Sequence, residues 1–435
     1  MNAIILSVGD ELALGQTVDT NSAWASQQLA AAGCDVLAHA TVADDRALTE
    51  EAIREAARRA DLVLISGGIG PTEDDLTRQA IADVLGVPLE SSPAWLAEMR
   101  TYFERTGRVM PERNNVQALI PAGAEMVWNT CGTAAGIKAA IPNGRSDGAG
   151  RGGNGGTGGT ATLFAMPGVP KEMKAMFARD VLPWVRERAA GAAIRSRTLH
   201  TFGLGESAVA ERVAALMVRG RNPSVGTTVS GGIVSLRVNA RFGSPDEAER
   251  ELEAASAACH AALGDLIYGR DGEPLSEIVA RLLLADPAKP TVATAESCTG
   301  GLVAAMLTDV PGSSAYFRSG WVTYANEAKV AQLGVPQQTL IDHGAVSEPT
   351  VVAMAAGALE RAGATYALAV SGIAGPGGGT PEKPVGTVWF ALAHPGGVDA
   401  RRFGLFGDRE MIRDRAAKMA LTLLRFRLLN KPLPF

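Results

Sequence analysis

The chain has 435 residues, a formal net charge of −5 and 46% hydrophobic residues. This length predicts two or three domains, each with enough apolar material for a core. The acidic balance argues against a generic nucleic-acid or membrane-surface binder, and no long apolar run marks a membrane span. Cys34, Cys131, Cys259 and Cys298 show neither disulfide nor zinc spacing. Met1 to Glu11 lacks a basic leader segment and reads as a first strand, so a cytoplasmic protein is expected.

Residues 1–90 alternate strand and helix. Strands are predicted at Ala3 to Val8, Asp35 to Thr41 and Leu62 to Ser66. Helices are predicted at Ser22 to Ala32, Arg46 to Ala60 and Thr77 to Leu85. The alternation predicts a parallel sheet with helices on both faces and ligands at the carboxyl ends of its strands. There lie Gly9-Asp10-Glu11, Asp44-Asp45 and the run from Gly67 to Asp75. Gly67, Gly68, Gly70, Pro71 and Thr72 follow a strand and precede a helix, so their backbone can cradle a nucleotide phosphate. Asp74 and Asp75, joined by Asp10 and Asp44 across the strand ends, offer carboxylate oxygens to a hard divalent cation. Thr72, Asp74 and Asp75 serve equally well as cap and first-turn residues of the next helix.

Gly9-Asp-Glu-Leu, Asp19-Thr-Asn-Ser, Gly67 to Asp75 and Met166-Pro-Gly-Val-Pro-Lys-Glu-Met resemble the molybdopterin-binding fold over residues 1–175. That fold occurs in molybdenum-cofactor proteins and at the N-terminus of full-length CinA proteins. In the latter the resemblance implies metal-dependent hydrolysis of ADP-ribose. One departure is Ala135, where a proline commonly stands. Another is the glycine-rich polar insertion 143–161, expected as a flexible loop without function.

Lys171 to Arg188 is amphipathic, and a connecting helix over 176–195 is expected. Residues 196–265 read as a small α+β unit. Its strands are Arg197 to Phe202, Ser224 to Ser230 and Ile233 to Phe242, with helices near Glu206 to Leu216 and Asp246 to Leu263. The CinA family calls this region KH-like. It lacks the Gly-x-x-Gly loop of nucleic-acid-binding KH domains, so no direct nucleic-acid binding is expected and a spacer or homodimer contact is.

A third α/β unit over 272–435 has strands at Thr291 to Ala295, Trp321 to Tyr324, 366–371 and 385–393. Its helices are 272–284, from Leu302, and 350–362, with a basic, solvated amphipathic helix at Asp408 to Leu424. Ser297 and Thr299 sit at the first strand-to-helix turn, where unpaired N–H groups suit a nucleophile with an oxyanion or phosphate pocket. Either residue equally well caps the helix. Cys298 is a rival nucleophile, disfavoured because neighbours at a turn point apart. Lys329, in the turn or helix start after Tyr324, is a base if burial neutralises it and otherwise an ordinary solvated lysine. Ser371 to Gly379 is a strand end running into a glycine-rich loop.

Ala295-Glu-Ser-Cys-Thr-Gly-Gly301, Tyr324-Ala-Asn-Glu-Ala-Lys329, Gly344-Ala-Val-Ser-Glu348 and Ser371-Gly-Ile-Ala-Gly-Pro-Gly-Gly378 resemble the C-terminal domain of the CinA family, the nicotinamide mononucleotide deamidases. The likeness covers about 272–415. It implies hydrolysis of the nicotinamide mononucleotide carboxamide to nicotinate mononucleotide and ammonia, with no metal at that site. Ser297 matches the nucleophile, Lys329 the base, and Tyr324 a tyrosine that orients them. Thr299, Gly300, Gly301, Ser371, Gly372 and Gly375 fall on the substrate side. Ser371 stands where many members have threonine. Arg409 matches an arginine near the substrate phosphate, with Arg413 and Arg415 as alternatives. The rival reading is a non-catalytic competence or DNA-repair partner whose N-terminal domain only binds a nucleotide or pterin.

Overall fold

The computed structural model describes residues 1–144, 159–189 and 193–435. Most of the expected loop 143–161 lies outside the described residues. The chain divides into two compact units, Met1–Arg195 with Ala240–Arg250, and Ser196–Asn239 with Glu251–Phe435.

In the first unit a six-stranded sheet runs in the order Asp35–Val42, Asn2–Val8, Leu62–Ser66, Thr160–Met166, Gly136–Pro142, Glu125–Val127. Alternate residues of the strands serve opposite faces. Ile4, Leu6, Val63 and Ile65 share one core with Ile53 and Ile81 of two helices. Ile5, Leu62, Leu64 and Phe164 share the other with Leu29 and Phe177. Burial on both faces is why Leu62–Ser66 is a continuous apolar run.

The first four strands are parallel, as expected. The last two are antiparallel, so the sheet is mixed. Helical crossovers deliver parallel strands, whereas the direct connection from Val127 to Gly136 reverses the chain. The helix Pro93–Arg105 and the strand pair Leu89–Ser91 with Leu119–Pro121 are not expected from the sequence. Val8, Ser66, Val42 and Met166 end at one edge, which puts Gly9, Gly67, Asp44 and Gly168 there together.

Residues 193–270 form a four-stranded sheet in the order Ser224–Ser230, Ile233–Phe242, Ala193–Phe202, Ile267–Arg270. The last strand, beyond the expected boundary at 265, pairs antiparallel with Ala193–Phe202.

The C-terminal sheet runs in the order Phe317–Val322, Val292–Glu296, Tyr366–Gly372, Thr387–His394, Gly397–Gly404. Its first three strands are parallel and the rest antiparallel. Val292, Leu368, Val370 and Phe390 face a core shared with helices Leu275–Ala285, Leu302–Thr308 and Arg409–Leu428. The opposite face is paved with Ala293, Ala295, Ala367, Ala369 and Ala391, and the helix Glu348–Ala362 lies on it.

One boundary differs from expectation in a way that matters. The strand before Tyr324 ends at Val322, so Tyr324 lies in the following loop, and Lys329 lies within the helix Asn326–Leu333. The last helix is amphipathic, as expected: Ile412, Ala416, Ala420 and Leu424 belong to the core. One of its charges is not solvated, since the buried Arg425 donates to the carbonyls of Asp265 and Ile267.

Candidate functional site

The carboxyl ends of three parallel strands converge in the C-terminal sheet: Glu296, Val322 and Gly372. Ser297 follows the first, and its N–H donates to Val370 O at 2.9 Å. The loop Thr323 to Ala325 follows the second and leads into the helix of Lys329. Register therefore brings Ser297 and Lys329 together across 32 residues of sequence, with Lys329 Nζ 3.4 Å from Ser297 Oγ.

Lys329 is 1% exposed. Its Nζ donates to Thr323 O at 2.9 Å and Tyr324 O at 3.2 Å. Burial pushes its pKa down, against the smaller opposing influence of Cys298 and Glu327. No arginine contributes to that shift. Cys298 is buried, and burial, with Glu296 adding to it, pushes its thiol up to about 12. The thiolate a cysteine nucleophile needs is thus suppressed, while Ser297 Oγ faces the amine.

The N–H groups of the following helix are not unpaired. Glu296 is 1% exposed. Its Oε2 accepts from Gly301 N at 2.9 Å and Val303 N at 3.1 Å, and its Oε1 from Ala304 N at 2.8 Å. Neither Ser297 nor Thr299 caps this helix; the carboxylate one residue before Ser297 does. Thr299 is fully buried, and its hydroxyl has no partner among the described residues. The Ser371 hydroxyl, also buried, donates to Ala345 O at 2.7 Å. As placed, neither hydroxyl is presented to a substrate, a correction to their expected role.

The glycines shape the floor. Gly300 has φ 60° and Gly301 φ 96°, conformations that favour glycine. A Cβ on Gly372 would lie 2.7 Å from the Val388 side chain. Gly375 is buried, and its carbonyl accepts from Arg409 Nη1 at 2.7 Å. Arg409 Nη2 donates to Tyr324 Oη at 2.8 Å. Tyr324 is 56% exposed. Arg409 and Tyr324 thus stand at the open rim, on the side of Gly375. Arg413 turns inward, donating from Nε to Cys298 O at 3.1 Å and from Nη2 to Thr299 O at 3.0 Å. Arg415 donates to Phe406 O. Motif spacing does not mark Glu296. An acid at a strand end is its only sequence signal.

The first unit carries an open pocket of about 460 Å³ lined by Gly9, Asp44, Gly67, Gly68, Asp74 and Glu172 among others. A Cβ on Gly67 would lie 2.1 Å from Val8 O, and one on Gly68 2.1 Å from Thr77 Oγ1, so only glycine allows this loop. Asp75 is spent on the loop itself. Its oxygens accept from Gly70 N at 2.7 Å, Thr72 N at 2.8 Å and the Thr72 hydroxyl at 2.5 Å. Gly67 N donates to Met166 O at 2.9 Å, so three expected phosphate donors are occupied and Pro71 has none, leaving the N–H groups of Gly68 and Ile69. The buried Arg78 supports the loop through Ile69 O at 2.7 Å; burial lowers its pKa to about 10.

Asp10 and Asp44 accept from each other's backbone N–H, at 2.9 and 3.0 Å, each through one oxygen. Burial raises the Asp44 pKa, and the negative charges of Asp10, Glu11 and Asp74 raise it further. That crowding of carboxylates is what a divalent cation would relieve, and it fits Asp10, Asp44 and Asp74 to such an ion. Asp75 does not fit. Among the described residues no three acidic, histidine or cysteine side chains already converge as a ligand set. No helix among them is long and apolar enough to cross a membrane.

Three family models match the chain: CinA C-terminal domain over residues 272–428, Probable molybdopterin binding domain over 4–187, and Damage-inducible protein CinA KH domain over 196–269. The CinA-like protein of Frankia casuarinae is 43% identical, over 99% of this chain and 97% of its own. That of Synechococcus sp. (strain CC9902) is 41% identical, over 98% of each. The crystal structure of competence/damage inducible protein CihA from Agrobacterium tumefaciens is 45% identical, covering 36% of this chain and 95% of its own, with a TM-score of 0.34.

Proposed function

The chain belongs to the CinA family, and we propose that its C-terminal domain hydrolyses the carboxamide of nicotinamide mononucleotide to nicotinate mononucleotide and ammonia. The observation that carries this reading is the buried Lys329 amine 3.4 Å from Ser297 Oγ. A neutral amine has two N–H groups and one lone pair. Thr323 O and Tyr324 O take the two N–H groups, and the lone pair remains for the Ser297 hydroxyl proton.

Lys329 removes that proton as Ser297 Oγ bonds to the amide carbon. The tetrahedral intermediate collapses, Lys329 returns the proton to the leaving nitrogen, and ammonia departs from a seryl ester. Water, deprotonated by the same amine, cleaves the ester. Arg409, anchored by Gly375 O and Tyr324 Oη, keeps further N–H donors for the substrate phosphate. No metal takes part.

We also propose that the N-terminal pocket hydrolyses the pyrophosphate of ADP-ribose. Gly68 and Ile69 N–H groups would receive a phosphate oxygen, and Asp10, Asp44 and Asp74 would hold a divalent cation. Bound there, the ion would supply charge neutralisation and an activated water. The test of both readings is ammonia release from nicotinamide mononucleotide and AMP release from ADP-ribose by the purified full-length chain, with and without chelator. A chain that releases neither product refutes both readings.

A further inference from the structure

The last strand and the last helix of the C-terminal domain meet over a cavity that amide hydrolysis leaves unused. Gly397–Gly404 is an edge strand of its sheet, antiparallel to Thr387–His394. Its side chains alternate between the two faces. Val398 and Ala400 pack on the face covered by the helix Glu348–Ala362. Asp399 and Arg401 stand opposite Leu392 and Phe390, so they share the other face, on which the helix Arg409–Leu428 lies.

That helix stops at a left-handed residue. Asn430 has φ 53°, a conformation asparagine tolerates. Leu429 N donates to Arg425 O, Asn430 N to Arg427 O and Lys431 N to Phe426 O, each at 3.0 Å. These terminal carbonyls are spent on their own chain rather than left to oppose an anion. The chain then turns back, and the Phe435 ring lies 6.3 Å from that of Phe403. The returning tail, the helix and the edge strand enclose a half-open cavity of about 330 Å³. Leu392, Phe426 and Leu433 give it an apolar lining, and Asp399, Arg401, Arg427 and Lys431 a charged one.

The charges do not cancel within the cavity. Lys431 pairs with Asp265 at 2.7 Å. The buried His394 accepts at Nδ1 from two donors, Gly396 N at 3.0 Å and Arg427 Nη2 at 2.9 Å. Its proton therefore sits on Nε2, which donates to Asp399 Oδ2 at 3.2 Å. A neutral histidine thus fixes the Arg427 fork and the Asp399 carboxylate without neutralising either. Among the described residues Arg427 has no carboxylate partner, and the Arg401 side chain has no hydrogen-bond or ion-pair partner.

A free arginine on an exposed edge strand is ordinary, since charge there discourages edge-to-edge pairing. A half-buried guanidinium without a carboxylate is not, because charges withdrawn from water are normally paired. Arg427 is held in place beside an apolar lining, in a cavity of small-molecule size, with Arg401 facing the same space.

We propose that this cavity binds a small organic anion. A carboxylate or phosphomonoester head is taken by Arg401 and Arg427, whose planar forks suit either group, and the apolar body rests against Leu392, Phe426 and Leu433. Arg427 is about 27 Å from Arg409 along their common helix, at ~1.5 Å per residue. An occupant therefore leaves the rim at Arg409 and Tyr324 open, and its binding is independent of the chemistry at Ser297.

Isothermal titration of the full-length chain with benzoate, phenyl phosphate and inorganic phosphate tests this. Benzoate or phenyl phosphate should bind with a Kd at or below about 1 mM. Inorganic phosphate should bind at least about tenfold more weakly than the tighter of the two, because it has no body to bury. The tighter probe identifies the head as carboxylate or phosphomonoester. Arg401→Ala removes an exposed, unpartnered side chain and should leave the melting curve unchanged. Arg427→Gln keeps an NH₂ donor for His394 but loses the charge. Each variant should weaken the tighter probe at least about tenfold, the loss of a hydrogen bond to a charged group. Failure of both organic probes to bind at up to ~10 mM would overturn the proposal. Affinity retained within about threefold in both variants would place the probe elsewhere and overturn it too. Inorganic phosphate binding as tightly as phenyl phosphate would remove the organic body and have the same consequence. If Arg427→Gln does not fold, Arg401→Ala decides by the same criteria.

Discussion

Replacing Lys329 by arginine tests the base directly. Arginine can still donate to Thr323 O and Tyr324 O, but it stays protonated and has no lone pair for the Ser297 proton. The loss expected is that of a general base, at least ~10²-fold in kcat, or about 2.7 kcal/mol at 1.36 kcal/mol per tenfold. KM for nicotinamide mononucleotide should change less than kcat, because Lys329 faces Ser297 rather than the rim at Arg409. The pH profile supplies the second readout. Burial favours the neutral amine and lowers the Lys329 pKa. The protonated form is inactive, so the wild-type rate climbs with pH through the lowered pKa and levels off well below ~10.4, the ordinary lysine value. Ammonia release across the pH range gives both quantities, with circular dichroism to confirm that the variant is folded. Near-normal kcat with only KM altered would make Lys329 a substrate contact. A wild-type rate that rises only near the ordinary lysine pKa would show that burial does not neutralise it.

Ser297→Ala should abolish ammonia release with Tm unchanged to within ~2 °C, since among the described residues the hydroxyl's one hydrogen-bond partner is Lys329; activity in the folded variant would refute Ser297 as nucleophile. Chelator should stop AMP release from ADP-ribose and leave ammonia release intact, and the opposite pattern would exchange the two assignments. Asp75→Ala removes the acceptor for Gly70 and Thr72 and should slow ADP-ribose hydrolysis at least ~10-fold without affecting the deamidase; equal rates would show that the loop holds its shape without Asp75. Gly357→Ala would place a Cβ 1.8 Å from Leu333 O. It should cost about 1–3 kcal/mol and lower Tm, and an unchanged melting curve would mean that the two helices part freely.

Much of the architecture was legible locally. Leu62 to Ser66 and Thr77 to Leu85 fall where the sequence reading put them, because apolar period, β-branched runs and helix-starting residues are properties of a few neighbouring residues. The motif at 67–75 falls on a strand edge where the structure has a pocket, and those at 295–301 and 324–329 on one where Ser297 and Lys329 meet. Local signals also have a limit. Arg409 to Leu428 reads as amphipathic with its charges on a solvated face, yet Arg425 is buried against the carbonyls of Asp265 and Ile267, which lie far away in sequence.

What only tertiary structure decided is the use of each polar group. Ser297 and Lys329 are 32 residues apart, and only the parallel register of their strands sets them 3.4 Å apart. Asp75 and Glu296 are acids beside loops that read as open anion cradles, and in the structure each carboxylate fills much of its own cradle. Thr299 and Ser371 offer hydroxyls that packing turns inward, one to no partner and one to Ala345 O. Residue identity sets which groups can donate or accept. The direction of each N–H, carbonyl and hydroxyl follows from backbone planes fixed after the sheet and its helices have packed, so it is written across the whole domain rather than in any one motif.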